Sequence, residues 1–235
     1  MVKVLITGTS SGVGQAAALK FLDNGFEVHG IDRNPSKINH KNYHHYVCDV
    51  RDVEHLPDIK DITYIVNNAG IVSPQAEAID VNQIGYINIL EKYAFEQPLL
   101  KSIVMIGSTA SYKGYDNIRY CSSQGARDAL VKWAANNFGN DERHVIVNGL
   151  NLDGIVPAVD GGLGTTMEPE LYAEPELMDT IKNLSILKKL ATVEEIAEWI
   201  YFLLVVNTVT TGQIISIDGE LMGCYKFIKY PGWDA

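Results

Sequence analysis

What the sequence has little of limits it first. Three cysteines, Cys48, Cys121 and Cys224, are odd in number and scattered, so they fit neither a disulfide framework nor a zinc ligand set and read as free thiols. No run of lysine or arginine occurs and the net charge is −10, which argues against a nucleic-acid or anionic-membrane partner. The most apolar stretch, IAEWIYFLLVV, has 11 residues and includes Glu198, too short and too polar to cross a bilayer. Strand-like VKVLITG follows Met1 at once and leaves no room for a signal peptide, so the expectation is a cytoplasmic protein. Internal repeats and low-complexity linkers are also lacking.

What is present is a core. With 235 residues, 46% of them apolar, the chain can build one large domain and is too short for two. Apolar runs recur at 3–7 (KVLIT), 27–31 (EVHGI), 45–50 (HYVCDV), 63–68 (TYIVNN), 102–107 (SIVMIG), 144–150 (HVIVNGL) and 213–218 (QIISID). Their near-continuous hydrophobicity suits strands buried on both faces. Segments of helical period lie at 13–24, 78–97, 120–138 and 193–205, the last introduced by Thr192 with Glu195 as a capping box. The alternation predicts an α/β fold: a Rossmann-like doubly wound parallel sheet of about seven strands in a single domain, 1–235. Between 50 and 62 there is room for one turn at most, so one crossover helix is expected to be vestigial. Residues 153–187, rich in Gly, Pro and acids, interrupt the alternation where an active-site lid would fall.

TGTSSGVG (7–14) joins the first strand to the first helix. Gly8, Ser10, Ser11, Gly12, Val13 and Gly14 there offer close backbone approach to a pyrophosphate at a helix N-terminus. Asp32 ends the second strand, where a carboxylate can accept both ribose hydroxyls and repel a 2′-phosphate, which favours NAD over NADP. Arg33 beside it is the residue that would serve a 2′-phosphate instead.

Over essentially the whole chain these residues resemble the short-chain dehydrogenase/reductase family. TGTSSGVG is similar to its TGxxxGxG turn, CDV (48–50) to its Asp-hydrophobic pair, and NNAG (67–70) to its NNAG motif. The resemblance implies that Asp49 meets the adenine amine, that Val50 packs on the ring, and that Asn68, Ala69 and Gly70 flank the cofactor. It implies that Asn82 anchors a proton relay, Ser108 orients a substrate carbonyl, and Tyr120 is the acid/base. It also implies a small-molecule carbonyl or alcohol substrate and a homodimer or homotetramer. The tail GCYKFIKYPGWDA (223–235) is then expected to cover its own subunit or to pack across a two-fold axis.

Two departures stand out. Leu152 and Asp153 occupy the place of the family's Pro-Gly, and its YxxxK reads Tyr120-Cys-Ser-Ser-Gln124. A tyrosine hydroxyl has an ordinary pKa of about 10, and a nearby ammonium brings it toward neutrality. Gln124, at i+4 and so on the same helix face, can bind ribose hydroxyls but carries no charge. Losing a two-unit shift removes about 2.7 kcal/mol of phenolate stabilisation. Three accounts stay open: a substitution introduced into the chain, a catalytically silent NAD-binding sensor or scaffold, and a substitute cation. Arg127 is the candidate cation, although its ordinary reading is an exposed helix charge.

HKNYHHY (40–46) invites a metal, but His44 and His45, adjacent in a strand, point to opposite faces, and no metal site is expected from them. Finally, from Val145 to Ile181 there is no Lys or Arg, while Asp153, Asp160, Glu168, Glu170, Glu174, Glu176 and Asp179 fall there. That charge predicts a pocket mouth that disfavours anionic substrates, with Met167, Leu171 and Tyr172 as apolar contacts.

Overall fold

The computed structural model describes residues 1–73, 75–115, 117–157, 164, 179 and 182–219. Seven strands form one parallel sheet: β1 (Lys3–Thr7), β2 (Glu27–Asp32), β3 (Tyr43–Val47), β4 (Ile62–Asn67), β5 (Ser102–Ser108), β6 (Ile146–Leu152) and β7 (Ile214–Ile217). Their spatial order is β3-β2-β1-β4-β5-β6-β7, so the order in which strands are added reverses between β1 and β4, which pair in parallel.

The strands are apolar throughout because both faces are covered. Val4, Ile6, Val28, Val66, Val104 and Leu150 point to one side, under α1 (Gly12–Asp23) and the late helix that the Thr192 capping box opens, Val193–Tyr201. Leu5, Ile31, Ile65, Ile103, Met105 and Val147 point to the other, under α3 (Gly85–Tyr93) and α5 (Ile118–Gly139). Each large side chain fully buried in this way contributes about 1.5–3 kcal/mol. Two short helices complete this part of the chain, α2 (Glu77–Ile79) and α4 (Ala110–Lys113), and the late helix is α6.

Three local expectations need correction, and one is met. The third strand spans Tyr43–Val47, not 45–50, so Cys48, Asp49 and Val50 lie beyond its end. The helix expected over 78–97 is broken by a π-helical turn, Asp80–Ile84, and ends at Tyr93. The last expected helix, 193–205, turns into a π segment at Phe202–Val206. Between β3 and β4 the chain makes a single 3₁₀ turn, Val53–His55, as the short spacing implied. Of the lid segment only 153–157, 164, 179 and 182–187 are described. Asp160, Met167, Glu168, Glu170, Leu171, Tyr172, Glu174 and Glu176 lie outside the described residues, as does the 223–235 tail. Among the described residues no helix is long and apolar enough to cross a membrane.

Candidate active site

Among the described residues, the Gly-rich turn, Asp32, Asp49, the NNAG segment and Ser108 stand at the C-terminal ends of β1 to β5. At the β1–α1 turn Gly12 takes a left-handed φ of +57°, and Gly14 lets the helix close on the strand, since a Cβ there would sit 2.1 Å from the Gly8 carbonyl oxygen. The Ser11 side chain makes no cap hydrogen bond to α1, and the N-terminus of a helix favours an anion. The NNAG segment braces this turn. Thr7 Oγ1 accepts from the Asn68 and Ala69 amides at 2.8 and 2.9 Å, and Asn68 Nδ2 donates to the Thr7 carbonyl at 2.8 Å.

Asp32, at the end of β2, is held by its own backbone surroundings. Its carboxylate accepts from the Ser10 amide at 3.0 Å and the Asn34 amide at 2.8 Å. Arg33 is exposed and turned toward Glu77, at 3.9 Å. Asp49 forms a two-pronged pair with Arg51, at 3.0 and 2.7 Å, and this partner, working against burial, holds its carboxyl below the usual range. Val50 is buried and packs on Gly85.

Asn82 sits in the π turn, a feature that recurs at functional sites. Its amide group holds both backbone atoms of Ile71, each at 2.8 Å, and reaches Ser123 Oγ on α5 at 3.2 Å. The helix that carries the tyrosine is thereby tied to the NNAG strand end. Ser108 ends β5 and is buried, with its Oγ accepting from the Ala110 amide at 3.1 Å. Tyr120 occupies the first turn of α5, where the Asn117 side chain accepts from its amide at 3.0 Å.

Three tyrosines surround this place, and two are committed elsewhere. Tyr86 is fully buried and donates to the Ile106 carbonyl at 2.5 Å, and burial pushes its hydroxyl pKa well up. Tyr115 donates to Asp153, and burial, reinforced by that carboxylate, pushes its pKa well up too. Neither is fitted to give up a proton near neutrality.

Gln124 is buried at 5% exposure, and its side-chain carbonyl oxygen has no hydrogen-bond partner among the described residues. An orphaned acceptor on the crevice helix suits a ribose hydroxyl of a dinucleotide. Arg127 corrects the sequence reading: it is 1% exposed, not a solvated charge. Its guanidinium lies over Gly107, next to Ser108, where a Cβ would fall 1.6 Å from its Cζ. It donates to the Met105 carbonyl at 3.2 Å and to the side chains of Asp128 and Asn151. Burial lowers its pKa, while Tyr86, Asp128 and Tyr120 act to raise it. The position was legible in principle, because residues 120, 124 and 127 share one helix face.

A second polar cluster was not foreseen. Asp153 accepts from Thr109 Oγ1 at 2.6 Å and from Tyr115, and it pairs with Lys113 Nζ at 3.4 Å, which also meets Asp218 at 2.7 Å. Asp153 is therefore an anchored residue at the end of β6 and not a bare lid charge.

Comparison with known proteins gives the family. The short-chain dehydrogenase family model matches residues 2–167. This chain belongs to that family. It is 29% identical to an L-xylulose reductase of Caenorhabditis elegans over 92% of this chain and 94% of that protein. It is 29% identical to a benzil reductase of Bacillus subtilis over 56% of this chain and 58% of that one. Among solved structures, ElxO with NADP bound superposes with a TM-score of 0.80 at 26% identity, covering 95% and 99% of the two chains. For 4-hydroxyisoleucine dehydrogenase complexed with NADH the TM-score is 0.78 at 21% identity, covering 95% and 100%, which speaks to the fold alone.

Proposed function

We propose that this short-chain dehydrogenase is an NAD-dependent oxidoreductase that interconverts a secondary alcohol and a ketone. The observation that carries the reading is Arg127: a guanidinium buried against Gly107, on the helix face of Tyr120 and Gln124 and in electrostatic interaction with Tyr120. Burying a cation costs several kcal/mol, and here the buried charge lies on the face of the helix that carries Tyr120. The silent sensor or scaffold reading rests on Gln124 alone.

In this reading the residues divide the work. Bound NAD supplies the hydride acceptor, or NADH the donor. Ser108 orients the substrate oxygen and Tyr120 gives it a proton or takes one. Arg127 favours the phenolate form of Tyr120 by charge, and Asp128 offsets part of that field, so the activation is weaker than a free ammonium would give. Asn82 anchors the relay and Gln124 binds ribose. Glycines 8, 12 and 14, with Ser10, Ser11 and Val13, cradle the pyrophosphate. Asp49, Val50, Asn68, Ala69 and Gly70 line the rest of the dinucleotide site.

NAD is favoured because the Asp32 carboxylate is fixed at the end of β2, while Arg33 is drawn to Glu77. Related structures hold either dinucleotide. Titration of the tyrosine and tryptophan fluorescence should show NAD(H) binding at least about tenfold tighter than NADP(H), a difference of about 1.4 kcal/mol. Equal or tighter NADP(H) binding would hand the role to Arg33. The substrate is taken as neutral or cationic: at the β5–β6 end one ammonium, Lys113, stands against two carboxylates, Asp153 and Asp218.

A further inference from the structure

Away from the dinucleotide site, β2 and β3 pair in parallel at the sheet edge with His44 beside His29. Alternate residues of a strand share a face, so Glu27, His29 and His44 stand together. Glu27 Oε1 lies 2.8 Å from His29 Nε2 and 3.6 Å from His44 Nε2, and the ligand atoms of the three are all within 4.8 Å of one another. Donors around a tetrahedral ion at ~2.0–2.1 Å sit about 3.4 Å apart, and the two gaps bracket that spacing. The other ring nitrogen of His29, Nδ1, is 3.2 Å from the Tyr46 hydroxyl, the outer contact that fixes the tautomer of a ligating histidine. His45 has turned to the other face, toward Tyr43 and the Asn34 carbonyl.

The fold keeps this face accessible. A parallel crossover usually carries a helix over the sheet, whereas the one from β3 to β4 holds a single 3₁₀ turn. The His44 side chain retains 46% of its exposure. The Lys3 ammonium donates to the Lys60 carbonyl at 3.1 Å.

We propose that Glu27, His29 and His44 bind one divalent ion of the zinc type, with water completing the shell. The ion would clamp the edge strand β3 to β2. Glu27 is the end of β2 away from Asp32, and His29 stands three residues, roughly 10 Å, from that carboxylate, so the site lies outside the dinucleotide crevice.

The test is calorimetric titration of the chelator-treated full chain with zinc chloride, and cobalt chloride as a spectroscopic probe. One equivalent should bind, with a tetrahedral cobalt spectrum and no thiolate charge-transfer band from the free cysteines. His44→Ala, an exposed position, and Glu27→Gln should each weaken binding at least tenfold, and His45→Ala should leave it unchanged. Absence of saturable binding, a thiolate band, or equal loss in His44→Ala and His45→Ala would overturn the assignment.

Discussion

Replacing Tyr120 by phenylalanine is expected to lower kcat at least about 100-fold while NAD affinity stays within a few-fold. General acid–base catalysis by one positioned group is worth about 10²–10⁴, and the substitution removes only the hydroxyl. No neighbour can take over. Tyr86 is locked onto the Ile106 carbonyl and Tyr115 onto Asp153, both pushed far toward the neutral form. The measurement is single-turnover reduction with saturating NADH, alongside a binding titration that shows the cofactor site intact. A loss smaller than about tenfold would remove Tyr120 from the chemistry.

Arg127→Leu should have two separable effects. The first is on stability, a loss of about 3 kcal/mol, because the half-buried Asp128 and the buried Asn151 carbonyl lose the guanidinium they share. Removing the orphaned charge as well, in Arg127→Leu/Asp128→Asn, should recover much of it. The second effect is on the pH profile and belongs to the charge. A cation favours the phenolate and so lowers the tyrosine pKa, and its removal must move the tyrosine-linked limb of the rate profile to higher pH. The double variant should show that upward shift by about one unit or more, while Arg127→Lys keeps the wild-type profile. A stable double variant with an unaltered profile would make Arg127 a packing residue. Gln124→Lys adds a second cation to a site already holding one, and should raise kcat/KM by no more than a few-fold.

How much of this was legible depends on which physical signal each residue leaves. Strands such as Lys3–Thr7 and Ser102–Ser108 are covered on both faces, so their sequences are apolar without interruption and their number could be read. The edge strand Tyr43–Val47 is partly exposed, and its polar YHH start hid it while the apolar run past its end drew it forward. The π turn at Asp80–Ile84 inserts one residue into a helix without any breaker, and periodicity does not register it. Arg127 went unrecognised as buried because charge is ordinarily assigned to the surface. The clues were its helix face and the glycine at 107 that makes room for it. Asp153 looked like one lid acid among several, since Lys113 lies 40 residues away in sequence. The pairing of His29 with His44 is a matter of strand register, which composition does not encode.

Whether the chain is a catalyst or a silent dinucleotide binder is decided by following NADH absorbance over a panel of neutral ketones and secondary alcohols, with a keto acid beside its amide. A working enzyme gives saturable turnover that vanishes in Tyr120→Phe and is faster with the amide than with the acid. Saturable NADH binding with no compound turned over above the Tyr120→Phe background would contradict the oxidoreductase assignment and leave a protein that holds the cofactor without using it.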